Sequence, residues 1–404
     1  METKQIPSSS SAKPSKLCYF NVIPNSPPGG DLYPTSDGAT IVRLHMHRTA
    51  QVWFLLLLCL LLSSAAAQAR AGAGQQYDST SGPLPVFELH SGFWTNLHHT
   101  LYHEARLRTA AATTGKNGKT TEPTLQVAPE AKTALSATEQ KAWDDAVTYY
   151  ASNYASKDLL FTTELIQLKN QLGDFEDCDE LSGRMKKFCD AGLSPKLTQV
   201  LEAAAGVYRA HFWPDHDRAN RRWIMRVAPL VREQGVGLSE RLADIYQARW
   251  PRAKIRVDVT AYANWAGAYT TLDPLRVTIA SLDSRNQGAE ALEVLFHEAS
   301  HEIAEPVQEA IIRECRQRDK AIPRDLWHAL VFYTTGEVIR PVITSSGAAS
   351  GDQDGNGYTP YAVREGLYQR GWNDYYKLLQ RFWQPYLNGQ ATFDDAVARM
   401  VSQL

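Results

Sequence analysis

An apolar run near residue 290 ends in Phe296-His297-Glu298-Ala299-Ser300-His301, an H-E-x-x-H sequence. On a helix, His297 and His301 lie one turn apart on one face, because side chains at i and i+4 are neighbours. Two neutral imidazoles at that spacing can grip one Zn²⁺, and Glu298 then stands beside the open coordination position, where it can take a proton from water. This pairing constrains the fold more than any other feature of the chain. A catalytic zinc needs a third protein ligand, so another element must bring one to the motif helix while one position stays open.

The chain leading up to the motif changes character at about residue 250. Residues 93–107 carry Phe93, Trp94, Leu97, Leu101 and Leu107 at helical spacing, in a segment read as helix from Phe87. His98, His99 and His103 lie among them and are expected to be histidines of a partly buried helix or of a cleft lining, without a metal. Residues 111–129 read as a surface loop, and further helices are expected at 141–154, 159–172, 197–212, 219–233 and 239–250. Residues 255–259 then alternate with period two and read as a strand, 276–281 as a second strand, and the motif helix is expected to begin at Ala289. The fold class is therefore α+β, mostly helical, with a helical part over 85–250 and a small-sheet, zincin-like part over 251–404.

The search for a third ligand runs downstream. An extended-helix site would place Gly and His three and six residues after His301, but Ala304 and Val307 stand there. Glu305 is followed by Pro306, which tends to end a helix at the preceding residue. After an amphipathic helix at 307–318, residues 324–340 form an apolar, aromatic helix carrying His328 and Glu337. A charge in such surroundings needs a partner; a metal would supply one for Glu337, and so would Arg340.

Strand, H-E-x-x-H helix and a later helix with a single Glu resemble the gluzincin group of zinc metallopeptidases, the thermolysin-like arrangement. The resemblance covers about residues 255–340. It implies a Zn²⁺ site in which His297 and His301 are the paired ligands, Glu298 is the general base and Glu337 is the distal ligand. His328 is the other candidate for the third ligand. It could instead bind an oxyanion in catalysis, as could Tyr358 or Tyr361. An edge strand that holds extended substrate is also implied, and residues 276–281 are the candidate. Glu337 departs from the family pattern, being preceded by Gly336 and followed four residues later by Pro341. The whole chain is also similar to a group of secreted bacterial proteins that share the Asn-Leu-His-His helix and the Tyr-Thr-Thr-Gly-Glu run.

Composition and the N-terminus set the context. A hydrophobic fraction of 44%, a charged fraction of 21% and ten Trp describe a globular protein. A net charge of -2 gives no electrostatic reason to expect nucleic acid as a partner. Residues 1–45 are rich in Ser, Pro and Gly and read either as a disordered extension or as sequence upstream of a true start at Met46. Residues 46–69 have a basic start, the apolar run 52–62 and an A-x-A site at Ala67-Gln68-Ala69, the form of a secretory signal peptide. Residues 70–84 read as a linker. The apolar run falls short of the roughly 20 residues a membrane span needs. No stable membrane insertion is therefore expected after cleavage, and the product is exported to a periplasm or secreted. In an oxidising compartment Cys178 and Cys189 either pair or remain two free buried thiols. Residues 352–357 open like a calcium loop, but Val363 occupies the position of the closing Glu, so a polar loop is expected.

Together these readings predict an exported zinc metallopeptidase acting on a peptide or protein. Two alternatives stand beside it: an exported binding or scaffold protein without metal, and a zinc amidase acting on a non-peptide substrate.

Overall fold

A mixed four-stranded sheet divides the helices into two groups. It is seen in a computed structural model that describes residues 86–117, 134–182, 189–346 and 357–404. The extension, signal peptide and linker expected over 1–84, and residues 352–356 of the calcium-like loop, lie outside the described residues. The strands are β1 (Phe87–His90), β2 (Ile255–Thr260), β3 (Ala268–Leu272) and β4 (Leu275–Ala280). Their spatial order is β1-β2-β4-β3, with β1, β2 and β4 parallel and β3 antiparallel to β4.

Segment 87–90 was expected to be helical and is instead a strand. Four residues are too few for a readable period, and the partner of Phe87 is Ile255, far along the chain. The Phe87 ring packs edge-on against Phe296 of the motif helix, 5.1 Å between centroids. The first strand therefore braces that helix directly. A second correction concerns the edge of the sheet. β4, the expected edge strand, is interior between β2 and β3, and the edge is β3. Nothing in the small, aromatic run 261–271 signals that the chain passes over one position and returns to fill it.

Helices α1 (Phe93–Asn117), α2 (Ala137–Asn153), α3 (Thr163–Asp174) and α4 (Pro195–His211) build one core. Helix α1 runs seven residues into the expected loop. Ser136 and Glu139 cap α2 reciprocally, satisfying amide groups that the first turn leaves without partners. Trp213-Pro214 starts a helix as well as ending α4: α5 (Trp213–Ile245) is continuous where two helices were expected. Proline at the first turn gives up no internal hydrogen bond, and the charged stretch after it forms the outer face. Buried Asn96 of α1 ties this core to the sheet, donating to the carbonyl of Val259 and accepting from the amide of Ala261.

The opposite sheet face, with Val257, Val259, Val277 and Ile279, packs into a second core. That core also takes in α5, α6 (Glu290–Ser300), α7 (Glu305–Gln317), α8 (Leu326–Ser346) and the C-terminal helical segments through Phe393–Ser402. The chain is thus predominantly helical with a small sheet. Cys178 and Cys189 form a disulfide with 5.7 Å between Cα atoms, and Cys315 is a buried free thiol. Among the described residues no helix is long and apolar enough to cross a membrane.

Candidate metal centre

Helix α6 is buried on all sides, every residue from Ala291 to Ser300 included, and its polar members Glu293, His297 and Glu298 are therefore held inside the fold, where each needs a partner. Glu290 and Glu293 lie in its first turn. His297 falls in its last turn, and His301 caps the C-terminal end. Helix α8 packs alongside and presents His328, with Phe332 one turn further along the same face.

The three imidazoles converge. Ring centroids are 4.9 Å apart for His297–His301, 5.4 Å for His297–His328 and 5.1 Å for His301–His328. One nitrogen from each can be chosen so that all lie within 4.8 Å of one another. Burial holds all three far on the neutral side. For His297 the neighbouring His301 and His328 add to this, and His328 is lowered to about 3. Neutral imidazoles keep the lone pairs a metal needs. The buried Nδ1 of His297 has no hydrogen-bond partner, an orphaned polar atom of the kind that calls for an absent partner. The donor set fits a borderline-soft divalent ion such as zinc.

Glu298 lies beside the group, its Oε2 3.9 Å from His301 Nε2. Burial raises its pKa to about 7, against the opposing hydrogen bond from Thr270. Thr270, on edge strand β3, has its Oγ1 2.8 Å from both the backbone carbonyl oxygen and Oε2 of Glu298. One hydroxyl hydrogen faces two acceptors. It donates to Oε2 when the carboxylate is ionised. When Glu298 carries a proton, the hydroxyl turns to the carbonyl and accepts from the carboxyl group. The residue can therefore gain and lose a proton without losing its partner. Sequence reading passed over Thr270, which becomes visible only once β3 is known to be a strand.

Glu337 is not brought to the histidines. It stands nine residues after His328, which on an α-helix is about 13 Å along the axis and half a turn around it. It pairs there with Arg340, 2.5 Å away. Glu305 is exposed at the start of α7. Among the described residues the three histidines form the only group of three or more potential ligands. Tyr358 is also otherwise engaged, donating to Glu293 Oε2 at 2.6 Å. The ring of Tyr361 stacks at 6.0 Å on Phe332, which in turn stacks at 3.7 Å on His297. Trp327, Phe332 and Trp372 complete an aromatic wall around His328.

Glu293, one turn before His297, secures that wall. Both its oxygens lie 3.0 Å from the amide of Tyr361. Gly336 makes room for this contact: a Cβ there would meet Pro360 at 2.6 Å and Glu293 Oε1 at 3.1 Å. Burial raises the Glu293 pKa to about 7, opposed by the donors Tyr358 and Tyr361 and by Arg364 and Arg340. The folded chain thus holds this proton more tightly than the unfolded chain. The stability it contributes is full below about pH 4.5 and is lost as the pH rises through about 7. Between pH 5 and pH 8, Glu293→Gln is expected to gain roughly 2–3 kcal/mol on the wild type in denaturant unfolding. Parallel pH profiles for the two proteins would rule this out.

Comparison with family models, with curated proteins and with solved structures gives no match. The site therefore rests on its own geometry.

Proposed function

We propose that this chain is an exported zinc-dependent metallopeptidase, with His297, His301 and His328 as the metal ligands and Glu298 as the general base. The convergence of three neutral imidazoles beside a buried carboxylate carries the reading. The ligand set departs from the gluzincin pattern at its distal member, a His in place of Glu337. Bound there, zinc would supply a Lewis acid toward a carbonyl oxygen and lower the pKa of water. Glu298 accepts a proton from the attacking water; as the C–N bond breaks, it delivers that proton to the leaving nitrogen. Thr270 follows the carboxyl group through both states. The aromatic side chains around His328 lower the local polarity, which strengthens each electrostatic contact within the site. The disulfide and the signal-like segment at 46–69 support export.

Metal analysis of protein purified without added zinc, followed by digestion of a peptide library, tests this reading. One equivalent of zinc and cleavage abolished by chelation are expected. Protein that takes up no zinc even when it is supplied would leave a binding or scaffold role. Zinc binding without peptide cleavage would point to the non-peptide amidase.

A further inference from the structure

On the sheet face opposite the histidines, polar groups occupy positions where an apolar core would ordinarily continue. Lys169 of α3 is fully buried, and its Nζ donates to Thr271 Oγ1 at 3.0 Å. Its ammonium also sits 5.6 Å from the centre of the Tyr269 ring. His99 of α1 is fully buried too, with Nδ1 2.7 Å from the Thr95 carbonyl and Nε2 2.9 Å from the Tyr269 hydroxyl. A carbonyl only accepts, so Nδ1 carries the hydrogen; burial keeps the ring neutral, and Nε2 accepts from Tyr269.

Tyr269 and Thr271 are the two neighbours of Thr270. Side chains alternate across a strand, so the outer two point to the α1/α3 face and the middle one to α6. The register agrees, pairing Thr270 with core-facing Val277 and its neighbours with Thr278 and Arg276. As the edge strand, β3 is held by backbone pairing to β4 alone. Two hydrogen bonds behind it and one in front pin three successive residues. Stability does not explain the choice of groups. Among the described residues no carboxylate forms an ion pair with Lys169, and an apolar side chain of the same length would avoid the cost of burying its charge. Directional bonds fix the orientation of the groups they join, which apolar packing alone does not.

We infer that Lys169 and His99 are positioning residues that hold β3 from behind, so that Thr270 stays in register with Glu298. This rests on the hydrolase reading for its effect on turnover, but not for its effect on the strand. The test compares full-length wild type with Lys169→Met/Thr271→Val, which replaces both partners by apolar groups of similar shape, and with Tyr269→Phe.

Zinc content and thermal midpoint are expected to hold in the double variant, since removing both partners of a buried hydrogen bond is nearly neutral. Amide hydrogen exchange over 268–272 should quicken by about five- to tenfold, the scale of one lost hydrogen bond. Turnover should fall by about ten- to a hundredfold, because small misplacements of a catalytic group have effects of that size. Thr271→Ser with Lys169 intact, which keeps both donor and acceptor, should match the wild type in both. Unchanged exchange in β3 overturns the inference whether or not the protein hydrolyses peptides, and so does a kcat within twofold of wild type in an active enzyme. A wild type without hydrolase activity would refute the proposed function, while the exchange measurement would still decide the role of Lys169 and His99.

Discussion

Glu298→Gln is expected to keep its zinc and to lose peptide hydrolysis by about a hundred- to ten-thousandfold, the range associated with a positioned general base. The substitution changes little besides proton affinity. Gln has the shape of Glu, its carbonyl oxygen can still accept from Thr270 Oγ1, and the side chain remains against His301. None of the three imidazoles is altered, so metal content measured beside activity separates loss of the base from loss of the site. Retained hydrolysis would remove Glu298 from the mechanism. Lost zinc together with lost activity would show instead that the carboxylate belongs to the metal's surroundings.

His328→Ala and Glu337→Ala form the second pair, and opposite results are expected. Removing His328 leaves two ligands on α6, and affinity should fall by more than about a hundredfold, beyond what the loss of an outer-sphere partner brings. Removing Glu337 breaks a partly exposed ion pair with Arg340, worth about 0–1 kcal/mol, and should leave zinc binding intact. Equilibrium titration with a competing chelator, alongside thermal unfolding to confirm the fold, measures both. Zinc lost with Glu337 and retained without His328 would overturn the proposed ligand set and restore the one the gluzincin resemblance implies.

The reason sequence favoured Glu337 is instructive. A lone carboxylate on an apolar helix looks costly unless a metal neutralises it, but Arg340 is close enough on the same helix to do so. Burial cannot be read from the sequence of α8: Glu337 is on its partly exposed side, and His328 is on the face that meets α6. The edge strand escaped for a related reason. β3 was hidden in a run of small and aromatic residues, and its place depends on β4 inserting between it and β2. Proline, by contrast, proved ambiguous in one direction only: Pro214 marked a boundary correctly, and that boundary opened a helix of 33 residues.

Sequence alone determined what is local. The i,i+4 spacing puts His297 and His301 on one face of a helix whatever surrounds it, Glu298 follows from the same period, and alternation marks β2. What required the tertiary structure is everything set by contact between distant segments. The approach of α8 to α6 selects His328, the pairing of β1 with β2 braces Phe296, and Thr270 meets Glu298 only because β3 forms the sheet edge. Periodicity describes a segment's own faces; which face meets which is decided by packing, and packing is a property of the whole chain.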